Sequence, residues 1–379
     1  MKTTRLLSLD TFRGMSIIGM LLVDYPGDWD NKYKPFIHSD WNGFTLADLI
    51  FPSFLFIVGV AMIFSLAKHI KNGDSHKKIM KSVIKRAFVL IILGWISNAF
   101  LDSEPIYSLK TLRIMGVLQR IALVYVICSF LYLKIGIKKL VWVGIAILIA
   151  YWGIITLIPV PGFGMPNINI HPSDGIANIS VWLDSTILGN NIAEWNKPFD
   201  NEGILGTLSA IVTGIIGMVV GYFIKFDTKH KSKTILLLLY GGAMVIIALI
   251  WNIWYPINKL LWSSTFVLLS GGLSVIIFAI LYWIIDIKGF NRWSNPFQIY
   301  GKNAILVFTT ALCFQGAYWR IEVPYNGEVI AFRDALYSTL FVPLNSNPLI
   351  SSILYTFAVI LFWYGVSYLL HKKKIYLRV

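Results

Sequence analysis

The chain of 379 residues is too apolar for a soluble protein, since 56% of its residues are hydrophobic, 14% are charged and the mean hydropathy is +0.68. Soluble domains carry charge on about a quarter of their residues. The net charge of +14 does not indicate nucleic-acid binding, because the lysines and arginines flank apolar segments, as they do in membrane proteins.

Apolar segments recur along the chain at the length of about 20 residues that a membrane span needs. They predict an all-α polytopic integral membrane protein with about ten transmembrane helices, in one domain covering residues 1–379. In chain order the predicted helices are residues 6–25, 45–69, 81–100, 111–133, 140–158, 204–224, 234–254, 260–285, 297–319 and 350–371.

The loops between these segments alternate in charge. One set is basic, with runs such as Lys77–Lys78, Lys138–Lys139 and Lys372–Lys374, and the other set holds acids such as Asp28 and Asp174. The positive-inside rule then places both termini in the cytoplasm. We expect the protein to lie in the cell inner (plasma) membrane. The segments 159–203 and 320–348 become extracytoplasmic loops, and we expect the first to fold over the outer face as a lid.

The first outer loop contains the strongest candidate for a reactive group. His38 precedes a membrane helix, and Thr45 and Asp48 have the spacing of a helix start capped by a hydroxyl and a carboxylate. Imidazole titrates near neutral pH, so it can accept a proton or act as a nucleophile. We therefore predict His38 and Asp48 as catalytic residues. Their polar neighbours are predicted to bind substrate: Asp40, Trp41 and Asn42.

Polar side chains also occur inside or beside the other spans, where a charge at the helix centre costs at least about 2.5–3.5 kcal/mol unless it is paired or lines a cavity. They are Asp10, Arg13, Gln119, Arg120, Glu202, Lys302 and Asn303. For several of them, a structural role stays open beside a ligand-binding one. Arg13 can pair with Asp10, Arg120 can pair with Asp48, Lys302 can extend to the membrane surface and Glu202 can interact with a helix dipole.

Several other chemistries lack their motifs in the sequence. There is no Gly-x-x-x-x-Gly-Lys-Ser/Thr phosphate loop, no His-Glu-x-x-His and no Gly-x-Ser-x-Gly. The two cysteines, Cys128 and Cys313, lie in apolar segments without metal-ligand spacing. We predict no metal site.

Six segments carry a family resemblance. They are residues 5–14, 38–56, 113–120, 202–207, 258–263 and 301–307, and they resemble the heparan-alpha-glucosaminide N-acetyltransferase family within the transmembrane acyltransferase superfamily. The resemblance implies transfer of an acetyl group from cytoplasmic acetyl-CoA to a glucosamine amine across the membrane, with His38 as the active-site histidine. Asp24 lies near the position where the animal enzyme has an asparagine, and we include it among the catalytic candidates. The animal enzyme's lumenal domain is not found ahead of the first helix, as expected for a bacterial-type member.

The resemblance assigns provisional roles to the buried polar residues. We expect acetyl-CoA to be bound by Arg13, Gln119, Arg120, Lys302 and Asn303, and Glu202 to join the acceptor site. His38 acts either as a base or as a transient acetyl carrier, and the sequence does not separate the two. The expected partners are acetyl-CoA, an amino-sugar or glycan acceptor and membrane lipid, with no nucleic acid; a homodimer is compatible with the family. Two alternatives stay open: a secondary transporter of a sugar or organic acid, and an O-acyltransferase of the same superfamily.

Overall fold

The computed structural model describes residues 6–101, 111–189, 191–192, 199–226 and 230–377, and this part of the chain forms twelve α-helices and one β-hairpin. The helices are α1 Leu7–Asp24, α2 Leu46–Lys71, α3 His76–Leu101, α4 Val117–Leu157, α5 Ile179–Ile187, α6 Ile204–Phe226, α7 His230–Trp251, α8 Ser264–Leu281, α9 Asn295–Lys302, α10 Ala304–Arg320, α11 Phe332–Leu340 and α12 Pro348–Lys372. The strands β1 Glu322–Tyr325 and β2 Glu328–Ala331 pair antiparallel. The predicted all-α class is confirmed.

Six helices of the described chain are long and apolar enough to span a membrane: α2, α4, α6, α7, α8 with its π-helical continuation Tyr282–Ile287, and α12. Each of the ten predicted segments is largely helical, but ten spans, the placement of the termini and the cell inner membrane stay predictions.

The predicted fourth and fifth helices form the two halves of α4. Gly136 lies between them with φ of 70° and ψ of 172°, which interrupts the helix and bends it. A positive φ costs glycine little, whereas most other residues would be strained there. The first half begins at Val117 rather than near residue 111, so Arg113 lies in the non-helical segment before α4.

The predicted ninth helix is divided at Asn303 into α9 and α10. Asn303 has a φ of −122° and ψ of 28°, outside the helical region. The predicted loop 320–348 also contains structure of its own, because it holds the hairpin and α11. The loop 159–203 contains α5, while its residues 190 and 193–198 lie outside the described part of the chain.

The core forms where α2 meets α6 and α8. A side chain on Gly217 would collide with the carbonyl oxygen of Phe56, so glycine at this position lets α2 and α6 pack closely. Phe56 in turn packs edge-on against Phe278 of α8, with ring centroids 5.8 Å apart. This contact fixes the positions of three helices whose N-terminal ends approach one another.

The N-terminal ends of α2, α4, α6 and α8 lie at the same end of the bundle. Arg120 in the first turn of α4 donates to the carbonyl of Gly203 just before α6, at 3.0 Å, and its guanidinium lies 4.8 Å from the ring of Trp262 just before α8. Lys259, in the same loop as Trp262, contacts the loop that leads into α2. The C-terminal residue of α1, Asp24, is also at this end.

Candidate active site

His38 and Asp48 form a hydrogen-bonded pair where the first loop enters α2. The Nδ1 atom of His38 lies 2.8 Å from Oδ1 of Asp48, whose side chain is fully buried. The other carboxylate oxygen accepts from the backbone N–H of Thr45 at 2.9 Å and from the hydroxyl of Ser39 at 3.0 Å. The predicted capping box is therefore confirmed, and the same carboxylate that caps α2 orients the imidazole.

The pairing determines which ring nitrogen of His38 is available for chemistry. An ionised carboxylate only accepts hydrogen bonds, so Nδ1 carries the proton and donates it to Asp48. Nε2 is then the basic atom, and the side chain of His38 is 42% exposed. A buried anion behind an exposed imidazole stabilises the imidazolium that forms when Nε2 takes a proton.

Lys259 is the third member of this cluster. Its Nζ lies 3.0 Å from Nδ1 and 3.2 Å from Nε2 of His38, and 3.6 Å from Oδ1 of Asp48. Since Nδ1 donates to Asp48, Nε2 is the ring atom that accepts from the ammonium. Burial lowers the pKa of Lys259 below its usual range, against the attraction of Asp48, Glu202 and Asp24, which favours the ammonium.

Hydrogen bonds fix the loop that presents Lys259. The carbonyl of Ile257 accepts from the N–H of Gly43 at 2.8 Å. The side chain of Asn258 donates to Asn42 at 3.1 Å and accepts from the N–H of Leu261 at 2.8 Å. Two neighbouring bonds, from Gly43 to Ile257 and from Asn258 to Asn42, thus tie the loop before α8 to the loop before α2 next to the His38–Lys259 contact. The eighth helix begins at Ser264 rather than near residue 260.

The three predicted substrate-binding neighbours of His38 differ in their surroundings. Trp41 is buried, and its indole N–H donates to the carbonyl of Ile168 at 2.7 Å. Asn42 donates to Asn169 at 3.2 Å. Both side chains therefore attach the first loop to the long loop that follows α4, whereas Asp40 is exposed. Their roles toward a substrate stay predictions.

Asp24 lies near the pair without a direct side-chain bond to His38 among the contacts described. Its carboxylate interacts electrostatically with His38, Lys259 and Lys32. Lys32 donates to the backbone carbonyl of Val23 at 2.9 Å, beside Asp24. The structure thus brings the predicted catalytic trio to one end of the bundle, with Asp24 as its outlying member.

Gln119 and Arg120 lie in the first turn of α4, where Arg120 packs against Trp262 of the loop that carries Lys259. Arg120 is fully buried, and its Nε and Nη1 have no hydrogen-bond partner within the described chain. Both polar atoms of the Gln119 amide, 4% exposed as a residue, are also unpartnered there. Arg120 donates to Gly203 and has no bond to Asp48 within the described residues, so the alternative in which Arg120 pairs with Asp48 is wrong. Buried donors of this kind are available to a bound acceptor atom.

Glu202 is engaged in a buried ion-pair network beside Arg120. Arg113 donates to Asp200 through two bonds, 2.8 Å from Nε and 2.7 Å from Nη2, and it also donates to Glu202. Glu202 therefore does more than interact with a helix dipole, because Arg113 is its direct ion-pair partner. Nearby, burial raises the pKa of Asp184 to about 7 while the carboxylate accepts from the N–H of Ile204 at 3.0 Å.

The remaining predicted donor-binding residues gather around the first half of α1, away from Asp24. Arg13 lies 3.4 Å from Asp10 and 3.5 Å from the carbonyl of Gly301. Asn303 donates to the carbonyl of Ile375 at 3.1 Å and accepts from the N–H of Leu377 at 3.3 Å. The predicted Asp10–Arg13 pair is present, and Lys302 is half-buried beside it. This group is separate from Gln119 and Arg120.

Sequence reasoning did not assign a role to Lys259. It is 221 residues from His38 in the chain, and its loop was placed at the edge of a predicted helix. One feature of the sequence could have identified it. Lys259 directly precedes a predicted membrane helix on the outer side, whose loops are predicted to be poor in lysine and arginine.

The fold and the site together define a class: a multi-pass helical membrane protein with an exposed histidine held by a buried carboxylate at the helix ends. Comparison with known proteins then shows which family the chain resembles. The family model described as "Heparan-alpha-glucosaminide N-acetyltransferase, catalytic" matches residues 5–174. The heparan-alpha-glucosaminide N-acetyltransferases of Homo sapiens and Mus musculus are 27% and 28% identical to the chain over 99% of its length. The chain spans 60% of the length of each relative. These matches confirm the predicted resemblance to this family.

Proposed function

We propose that the protein is a transmembrane N-acetyltransferase that moves an acetyl group from cytoplasmic acetyl-CoA to the amine of a glucosamine-type sugar on the extracytoplasmic side. The His38–Asp48 pair carries this proposal, because it combines a buried orienting anion with a basic nitrogen on a partly exposed side chain. The names of the matching family and relatives, which are N-acetyltransferases, support the proposed acyl-transfer chemistry and the proposed class of acceptor.

In the proposed reaction His38 acts as the general base. The acceptor amine attacks the thioester carbonyl carbon, the carbonyl electron pair moves onto oxygen, and Nε2 takes a proton from the amine. The tetrahedral intermediate then re-forms the carbonyl and expels the thiolate, which takes the proton from the imidazolium. The products are an amide and free CoA thiol. Asp48 stabilises the imidazolium throughout because its carboxylate stays hydrogen-bonded to Nδ1.

The buried polar residues suggest how an extended donor is held. The unpartnered atoms of Gln119 and Arg120 lie at the His38 end of the bundle, where hydrogen-bond donors suit the acyl end of the donor. Arg13 lies about 16 Å along α1 from Asp24 at 1.5 Å per residue, and Lys302 and Asn303 follow Gly301, whose carbonyl Arg13 contacts. The cations of this second group suit the phosphates of CoA.

The test is an acetyl-transfer assay with purified protein in lipid nanodiscs, isotope-labelled acetyl-CoA and a panel of amino sugars. Mass spectrometry of the products is expected to show N-acetylated sugar. An ester product would instead assign the protein to the O-acyltransferases, and no transfer to any acceptor would contradict the proposal. A further experiment incubates the protein with labelled acetyl-CoA but no acceptor and then quenches it. A labelled adduct on the peptide that contains His38 would indicate an acetyl-histidine relay instead of the base mechanism.

Binding of the donor separates the enzyme from a transporter. Acetyl-CoA is expected to raise the thermal unfolding midpoint of the purified protein, because a ligand that binds only the folded state stabilises it. Desulfo-CoA and free acetate serve as matched ligands. Stabilisation by acetate or a sugar without any effect of acetyl-CoA would favour a carrier.

A further inference from the structure

We propose that Lys259 is a catalytic residue of this site, whose ammonium stabilises the oxyanion that forms on the thioester carbonyl during transfer. The inference rests on the proposed acetyltransferase function and goes beyond it, since neither the sequence motifs nor the comparisons assign a role to Lys259.

The ammonium is positioned next to the reacting atoms. Nζ of Lys259 lies 3.2 Å from Nε2 of His38, the atom that accepts the proton of the attacking amine. An amine hydrogen-bonded to Nε2 places the carbonyl carbon one bond further, which brings the carbonyl oxygen within reach of Nζ. Lys259 has three N–H donors. One of them faces Asp48 at 3.6 Å. A second N–H contacts Nε2 in the free protein. When the substrate amine binds to Nε2 instead, this second N–H can turn to the oxyanion.

The loop that carries Lys259 has strained backbone at Trp262. Trp262, three residues later, has a φ of 54°, which is unusual for a bulky residue. Its indole packs against Phe51 with ring centroids 5.1 Å apart and donates to Thr213 at 3.3 Å. Strained backbone of this kind persists where surrounding contacts enforce it, and it is concentrated at functional sites.

The charges around Lys259 favour the ammonium form. The groups facing it are His38 from the first loop, Asp48 from α2, Asp24 from α1 and Glu202 from the segment before α6. Three of these four are carboxylates, so the ammonium compensates negative charge in a buried place; its residue is 9% exposed. In the transfer step the ammonium gains an oxyanion partner as the carbonyl electron pair moves onto oxygen. The Lys259 ammonium transfers no proton, and the oxyanion disappears again when the carbonyl re-forms and the thiolate leaves.

The test compares Lys259→Met, Lys259→Arg and, as a matched control, Lys34→Met, which alters an exposed lysine four residues before His38. Lys259→Met is expected to lower kcat on the order of 10²-fold with little change in KM, as for loss of one oxyanion-hole donor. Lys259→Arg is expected to recover part of this rate, and Lys34→Met to keep the parent rate. Thermal unfolding in nanodiscs confirms that each variant is folded.

The alkaline pH profile of kcat separates catalysis from structure. In the parent the rate is expected to fall as the Lys259 ammonium loses its proton, below the usual lysine pKa of about 10.4, and Lys259→Arg is expected to move this fall to higher pH. A folded Lys259→Met variant with the parent kcat, or an unmoved alkaline limb in Lys259→Arg, overturns the inference. If His38→Ala abolishes transfer in the same experiment, the proposed acetyltransferase function is retained even when the proposed role of Lys259 is not.

Discussion

His38 and Asp48 are ten residues apart, and the bond of 2.8 Å between them joins an irregular loop to the first turn of α2. One carboxylate therefore serves two purposes. It accepts from the backbone N–H of Thr45, which stabilises the start of a membrane-span candidate, and it fixes the tautomer of the imidazole. The position of His38, the proposed catalytic base, is thereby coupled to the formation of the helix.

Asp48→Asn tests this coupling. The substitution keeps the shape but removes the charge that holds Nδ1 protonated, so we expect kcat to fall by about 10²-fold or more, by analogy with the loss seen when the carboxylate of a Ser-His-Asp triad is neutralised. Acetyl transfer at saturating substrate is the measurement. Asp74→Asn is the matched control, because Asp74 forms a similar pair with His69 at the other end of α2. A kcat equal to that of the parent would remove Asp48 from the mechanism.

Trp41→Phe tests the attachment of the first loop to the loop after α4. Phenylalanine keeps the aromatic packing but loses the indole N–H and leaves the carbonyl of Ile168 without its donor, which costs about 1–3 kcal/mol for a buried group. The free energy of unfolding measures the loss. Trp95→Phe is the control: it removes a similar bond, to Ile114, from an exposed side chain. Equal losses of unfolding free energy in the two variants would show that the Trp41 bond stabilises the protein no more than the exposed Trp95 bond does.

Arg113→Met tests the buried ion-pair network. The variant leaves Asp200 and Glu202 without the guanidinium that both contact, and breaking a buried pair in this way costs about 3–5 kcal/mol. We expect a clear fall in the thermal unfolding midpoint. Lys78→Met, which breaks the exposed pair with Asp74, should leave the midpoint nearly unchanged. A similar midpoint for both variants would contradict the structural importance of the network.

Asp184 makes stability depend on pH in a defined direction. Burial raises its pKa to about 7 in the folded protein, so the folded state binds more protons than the unfolded state between pH ~4 and ~7. Stability from this group is therefore greatest at low pH and decreases as pH rises through that window. Asp184→Asn should flatten this part of the profile while its side-chain oxygen still accepts from Ile204. An unchanged slope of unfolding midpoint against pH would show that Asp184 is ionised in the folded protein.

Local patterns in the sequence were sufficient to predict part of this site. The Thr45–Asp48 spacing places the carboxylate in the first turn of a helix, and His38 lies only ten positions before Asp48, so both members are encoded within one short segment. The apolar segments likewise predicted most helices, because hydropathy depends on each segment alone. Gly136 separates the halves of α4 near the place where the sequence predicted a loop.

Contacts between distant segments were not predictable in the same way. Lys259 reaches His38 only because the loop before α8 is tied to the first loop through Asn258 and Asn42. Arg113 was placed inside a helix, whereas its pairing with Asp200 and Glu202 accompanies a non-helical segment. Both depend on how helices pack, which hydropathy and spacing within one segment do not determine.

The central claim is that His38 carries the proton during transfer, and the comparison of His38→Ala with His69→Ala tests it most directly. Both substitutions remove a histidine that pairs with an aspartate, at opposite ends of α2. We predict that kcat for acetyl transfer to an amino sugar falls by about 10²–10⁴-fold in folded His38→Ala, the usual contribution of a general base, and is unchanged in His69→Ala. Full turnover by His38→Ala, or an equal loss in both variants, would contradict the account.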